Sequence, residues 1–374
     1  MEVDGLTRGD PDMSDTLQLS ITATTAPERP PRPRESWADV AKGACILLVV
    51  LWHVITKDYL QVDWRLALPL PGAWGLLGEQ LLPLRMPLFF AISGMFAAGA
   101  VDRSWRVLGR SKVAKFGYLY AVWLLIHTAV LALVPDFDTA RAGGPLELLE
   151  QLTITPSNLW YLLALAVYFT VAKAVRRLPT ALVLAVALAL SVVVAADLLA
   201  TPGNRGGLLQ NLVFFLAGLR LRPVVEGLAR AANWRRLAVL GGGYAAGLVV
   251  LRLLPATGPL VSVAAVAFGV TAAALAARSR AVARVLGDIG RRTLPIYVLH
   301  MPVLAVCHAV LIGPMDRADP PMQLLLAVAE PVLLTVLVTW FCLALERSLP
   351  AALLDLPSRP TRVAAVPWQS GPVR

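Results

Sequence analysis

Charge is scarce in this sequence. Asp, Glu, Lys and Arg make up 16% of its 374 residues, against 57% hydrophobic residues and a mean hydropathy of +0.67, a balance that argues against a soluble fold. No polar stretch between Trp37 and Leu345 is long enough to hold a separate soluble domain, so one membrane domain with two tails accounts for the chain. Cysteine is sparse as well. Cys45, Cys307 and Cys342 each fall inside an apolar run, with no pairing pattern and no metal spacing, so no metal site is expected. The first 36 residues mix Thr, Pro, Asp and Arg and lack the apolar core of a cleaved signal peptide. The net charge of +10 sits in short clusters between apolar runs rather than along one face, which removes nucleic acid from the expected partners and leaves the lipid bilayer. No internal repeat is present.

What the sequence does have is apolar runs. A bilayer takes ~20 helical residues to cross. Runs near that length occur at about 38–57, 73–100, 116–134, 158–175, 179–199, 206–222, 236–254, 257–277, 293–313 and 323–345. The predicted fold is an all-α integral membrane protein, a bundle of about ten transmembrane helices over 37–346, flanked by a disordered tail at 1–36 and a second tail at 347–374. Of the 34 Lys and Arg, 26 fall in the tails and one alternate set of connections, 7 in the other, and Lys42 inside an apolar run. Cytoplasmic loops retain positive charge, so the split predicts an even number of crossings, a multi-pass location in the cell membrane and both termini in the cytoplasm. The second run holds Glu79, Pro83, Arg85 and Pro87. Prolines free helix carbonyls, so a broken element lining a cavity is predicted there.

Ionisable residues inside such runs are costly and mark candidate sites. The first run places Asp39, Lys42 and His53 on one stripe. The 11 steps from Lys42 to His53 return to within about 20° of one face while rising ~16 Å, so the two residues flank one long substrate rather than touch. An imidazole is a general base near neutral pH, as needed when a sugar hydroxyl attacks a thioester; the alternative for His53 is a hydrogen bond to a neighbouring helix. Lys42 and Asp39 lie near the interface, where a lysine can also snorkel. His300, beside Tyr297 and between Pro295 and Pro302, sits in a run expected to be broken; it is either a tether or proton relay, or structural. His127 and His308 read as structural. Ser93 has no GxSxG elbow around it, and serine beside glycine marks close helix packing. The basic cluster over 103–115, with Lys112 and Lys115, suits the phosphates of an acyl donor or of anionic lipid, although positive-inside charge explains most of it.

At these residues the sequence resembles the acyltransferase 3 family of membrane-bound O-acyltransferases, in particular its fucose 4-O-acetylase-like branch. The first helix follows the family's Asp, basic and His spacing at Asp39, Lys42 and His53. MPLFFxISG spans Met86 to Gly94, LWYLLAL spans Leu159 to Leu165 and includes Trp160, LPIYVLH spans Leu294 to His300, and Lys112 and Lys115 form the basic pair. Lys42 stands where many members carry Arg, Arg85 where the branch often has His, and the usual Pro-Tyr is missing from KFGYLY.

The resemblance implies transfer of an acyl group, commonly acetyl, from acetyl-CoA or another acyl-CoA to a hydroxyl of a carbohydrate, glycolipid or secondary metabolite, with no bound cofactor. It makes His53 the catalytic base, counts Lys42 and Asp39 with it among the catalytic residues, and places Arg85, Ser93, Lys112, Lys115, Trp160, Tyr297 and His300 at the substrates. Lys42 or Arg85 would then steady negative charge. The rival reading is a multi-pass secondary transporter or flippase, which also needs broken helices and buried ionisable groups, but no inverted repeat supports it.

Overall fold

The computed structural model describes residues 36–66 and 68–357; of the tails expected at 1–36 and 347–374, residues 1–35 and 358–374 lie outside the described residues. Among the described residues the chain is all helix, with no strand. The principal helices are α1 (Ser36–Lys57), α2 (Leu70–Gln80), α3 (Leu82–Met95), α4 (Lys115–Leu131), α5 (Trp160–Ala174), α6 (Thr180–Ala195), α7 (Arg205–Arg220), α8 (Trp234–Leu253), α9 (Gly258–Ala276), α10 (Arg280–Arg291), α11 (Thr293–Asp316) and α12 (Pro320–Glu346). Among the described residues six helical stretches are long and apolar enough to cross a membrane: Ser36–Gln61, Trp105–Leu131, Trp234–Leu253, Pro255–Ala276, Thr293–Asp316 and Pro320–Glu346. Helices α5 and α6 are apolar but shorter.

Helix α1 is the hub, packed against α3, α9, α10 and α12. Without a hydrophobic drive between helices in lipid, close backbone approach supplies the packing energy, and glycine permits it. At the crossing of α1 and α10, a Cβ on Gly43 would fall on the Leu286 carbonyl oxygen, and one on Gly290 on that of Asp39. Gly94 of α3 meets Phe215 O of α7 in the same way, and Gly218 of α7 meets Ala91 O of α3.

The second apolar run is broken as predicted, into α2 and α3, with Leu81 between them and Pro83 in the first turn of α3. The run around His300 is not broken: α11 is continuous despite Pro302 and Pro314. Proline lacks the N–H that would bond four residues back, so Pro302 deprives Val298 O of its helical donor. His127 Nε2 donates to that oxygen at 2.7 Å and restores it. Pro331 of α12 frees Ala327 O in the same way, and that oxygen accepts from Tyr59 Oη at 2.8 Å and Trp74 Nε1 at 3.0 Å. Side chains from neighbouring helices thus replace the lost backbone donors, as the absence of water in a bilayer requires.

Lys115 is reached through the turn Trp105–Leu108 and a π-helical turn, Gly109–Ala114, that holds Lys112. After α12 the chain folds back. Leu349, Leu353 and Leu354 pack on the core, Trp123 Nε1 donates to Leu353 O at 2.7 Å, and Lys115 Nζ pairs with Asp355 at 2.9 Å.

Candidate active site

Two cavities lie inside the bundle, and Tyr297 of α11 lines both. The first, about 330 Å³, takes Lys42 from α1, Ser93 from α3, Lys112 and Lys115 from the start of α4, and the aromatic rings of Phe96, Phe116 and Phe169. We call it the basic cavity. The second, about 500 Å³, is lined by Trp52 and His53 of α1, Arg85 of α3, Trp160 of α5 and several amides and hydroxyls.

His53 sits in the wall of this larger cavity. Its Nδ1 lies 2.8 Å from Val49 O one turn back and 3.3 Å from His300 Nε2, with the two rings 4.9 Å apart and tilted by 52°. A carbonyl oxygen can only accept, so the proton of His53 resides on Nδ1. His300 is fixed likewise, with Nδ1 at 2.7 Å from Tyr297 O and 3.2 Å from Ile296 O. Its Nε2 is therefore a bare acceptor facing the Nδ1–H of His53. Two histidines held in this way leave one lone pair open to the cavity, that of His53 Nε2, which has no protein partner among the described residues.

Tyr297 stands beside this pair and closes the wall between the cavities. Its hydroxyl accepts from the backbone N–H of Tyr161 at 3.1 Å, in the first turn of α5 where an N–H has no helical acceptor, and donates to Asn158 O at 2.9 Å. Tyr161 in turn meets Ser93 Oγ at 2.9 Å while Ser93 also donates to Phe89 O, and the Phe89 and Tyr161 rings stack at 4.8 Å. Ser93 is thus tied into the wall, and no base lies within hydrogen-bonding reach of it.

The predicted residues are sorted rather than gathered. Lys42, Ser93, Lys112 and Lys115 share the basic cavity; His53, Arg85 and Trp160 share the other; Tyr297 joins them, and His300 touches His53 from behind. Lys42 Nζ is 3.0 Å from Asp39, which lines neither cavity, and lies over the Phe96 ring at 5.5 Å. Lys112 lies over Phe169 at 5.6 Å. Arg85 lies over the Trp52 ring at 4.5 Å. His308, read as structural, pairs with Asp58 at 2.8 Å, about two turns along α11 from His300.

Sequence reading missed the polar lining of the larger cavity: Asn158, Ser191, Asn204, Gln210, Asn211 and Ser262. The Gln210–Asn211 pair interrupting an apolar run was the available signal. Phase along α7 alone does not say that it faces the same space as His53.

Fold and site together define a multi-pass membrane protein with an imidazole in the wall of a polar cavity. The acyltransferase domain of the acyltransferase 3 family matches residues 35–347, and the chain belongs to that family. It is similar to the inner membrane protein YcfT of Escherichia coli (strain K12), 27% identical over 371 aligned positions that take in 89% of this chain and 99% of that one. No solved structure matches the chain.

Proposed function

We propose that this chain is an O-acyltransferase of the fucose 4-O-acetylase-like branch. It takes an acetyl group from acetyl-CoA in the basic cavity and passes it to a hydroxyl of a carbohydrate, glycolipid or secondary metabolite in the larger one. The observation that carries this reading is the unpartnered Nε2 of His53 in the wall of a cavity that shares Tyr297 with the lysine-lined one. The family match leaves the transporter reading unfavoured.

In this mechanism Lys112 and Lys115 bind the phosphates of the donor by charge-assisted hydrogen bonds, and Lys42, a helix rise of ~16 Å from His53, serves the donor rather than the reacting carbon. His53 Nε2 removes the proton of the acceptor hydroxyl as its oxygen attacks the thioester carbonyl. The carbon–sulfur bond then breaks, and the imidazolium returns the proton to the departing CoA thiolate. His300 Nε2 holds the Nδ1–H of His53 throughout, so that Nε2 keeps its lone pair. No acyl-enzyme is invoked, because the hydroxyl of Ser93 has no base.

The orientation belongs to the same proposal. Ten crossings, counting the α2–α3 pair and α5 to α7, put both termini and the basic cavity in the cytoplasm, and the larger cavity on the opposite side. Purified full-length protein, acetyl-CoA and a panel of hydroxylated acceptors provide the test. CoA release that depends on the acceptor and vanishes in His53→Ala is expected; folded protein that neither binds nor cleaves acetyl-CoA overturns the proposal.

A further inference from the structure

The larger cavity carries a charge without a counter-charge. Arg85, only 6% exposed, lines it from α3, and among the described residues no carboxylate, carbonyl or hydroxyl accepts from its guanidinium. Its one close partner is the Trp52 ring at 4.5 Å. No Asp, Glu or Lys is among the described residues lining this cavity, so with His53 neutral Arg85 sets its electrostatic sign. A cation–π contact with an indole recovers only part of what taking an ion out of water costs. An anion that enters the cavity would supply the rest. Asn211, 7% exposed in the same wall, gives Nδ2 to Gly207 O at 2.8 Å and leaves Oδ1 with no donor. The wall therefore offers a positive fork among neutral amides and hydroxyls.

We infer that the ligand of this cavity is a hydroxylated molecule bearing an anionic group, a carboxylate or a phosphate, held by Arg85 in the ground state while its hydroxyl reaches His53. A guanidinium matches either oxyanion with two parallel hydrogen bonds. On the proposed reading the donor's phosphates lie with Lys112 and Lys115 in the other cavity and do not use Arg85. The inference rests on the acyltransferase reading in placing the donor there and in calling this ligand the acceptor.

The test sets galacturonate and galactose 6-phosphate against galactose, using detergent-purified full-length protein. Binding is measured by calorimetry and transfer from radiolabelled acetyl-CoA. An anionic probe is expected to exceed galactose by roughly tenfold or more in affinity and in kcat/KM, and the two anions tell a carboxylate site from a phosphate site. In Arg85→Gln that preference collapses toward unity, and Arg85→Lys keeps part of it. Equal handling of galactose and both anions by the unaltered protein overturns the inference, as does absence of binding by either anion. So does Arg85→Gln lowering all three probes by one common factor, which is the mark of a cation serving only the transition state or the fold. If Arg85→Gln fails to fold, the preference of the unaltered protein decides. Binding that depends on Arg85 without transfer to any probe would overturn the acyltransferase reading and leave this one standing.

Discussion

The hydrogen bond from His53 Nδ1 to Val49 O, and that from His300 Nδ1 to Tyr297 O, settle which nitrogens can act. As the proposed base, His53 replaced by Gln should lower turnover by about 10²–10⁴ while leaving acetyl-CoA binding intact. In the proposed mechanism His300 touches no substrate and acts by positioning. His300→Ala should lower kcat by about 10–100-fold with the KM for acetyl-CoA unchanged, and His300→Asn, which keeps an acceptor, should recover part of the loss. A rise in KM alone, with kcat preserved, would sink the positioning role. The remaining histidines differ. His308→Ala strands the wholly buried Asp58 carboxylate and should cost ~3–5 kcal/mol, whereas His127→Ala uncaps Val298 O for about 1 kcal/mol. Thermal unfolding in detergent would rank them, and equal midpoints would reject the distinction. His53 was legible because an ionisable group stood alone in an apolar run. Its partner was not, because His300 is 247 residues away and nothing in local spacing joins α1 to α11.

Helices in this bundle meet where side chains are absent and bend where donors are missing. The α1–α10 crossing has no room for a methyl group, so Gly43→Ala should cost ~1–3 kcal/mol or more through forced backbone separation. Gly242→Ala in α8, with nothing near its Cβ position, should be neutral or gain up to ~1 kcal/mol. Folded yield and melting temperature would separate the two, and equal behaviour would discount the crossing. The same scale explains why sequence foresaw one broken helix and wrongly foresaw another. Proline content marks α3 and α11 alike, but His127 supplies from α4 the donor that Pro302 lacks, and no local reading of α11 could contain that side chain. At the end of the chain, the hydrogen bond from Lys115 holds the Asp355 carboxyl below its usual range. A depressed carboxylate adds stability above its ordinary pKa and loses it as pH falls through the lowered value. The docked turn over 351–355 should therefore resist cleavage at neutral pH and open to pepsin only at lower pH than an ordinary carboxylate would dictate. Asp355→Asn should loosen it at neutral pH, and protection unchanged by that substitution would show that Trp123 and the leucines hold the turn alone.

For the whole molecule, the lopsided distribution of Lys and Arg and the two cavities are independent observations that the proposed orientation makes agree. Lys112 and Lys115 of the basic cavity belong to the connection over 101–115, one of the five-residue basic clusters. The larger cavity takes Asn204 and Pro255 from the sparsely charged connections. Overall class was legible in the sequence because hydropathy depends on composition alone. Division into two cavities was not, because it depends on how α3, α5, α7 and α11 close around α1. If the orientation holds, a membrane-impermeant maleimide applied to intact spheroplasts should label Asp136→Cys, exposed on the connection after α4, and should reach Arg284→Cys, exposed on α10, only after permeabilisation. Sealed inverted vesicles should then consume acetyl-CoA added outside and place the acetylated product in the lumen, while right-side-out vesicles should leave external acetyl-CoA untouched. Labelling of both cysteines from one side would remove an odd number of crossings between α4 and α10 and with it the alternation that the charge count demands. Correct labelling with product released on the donor side would keep the topology and place both substrates at one face, so that Tyr297 would no longer stand between two entrances.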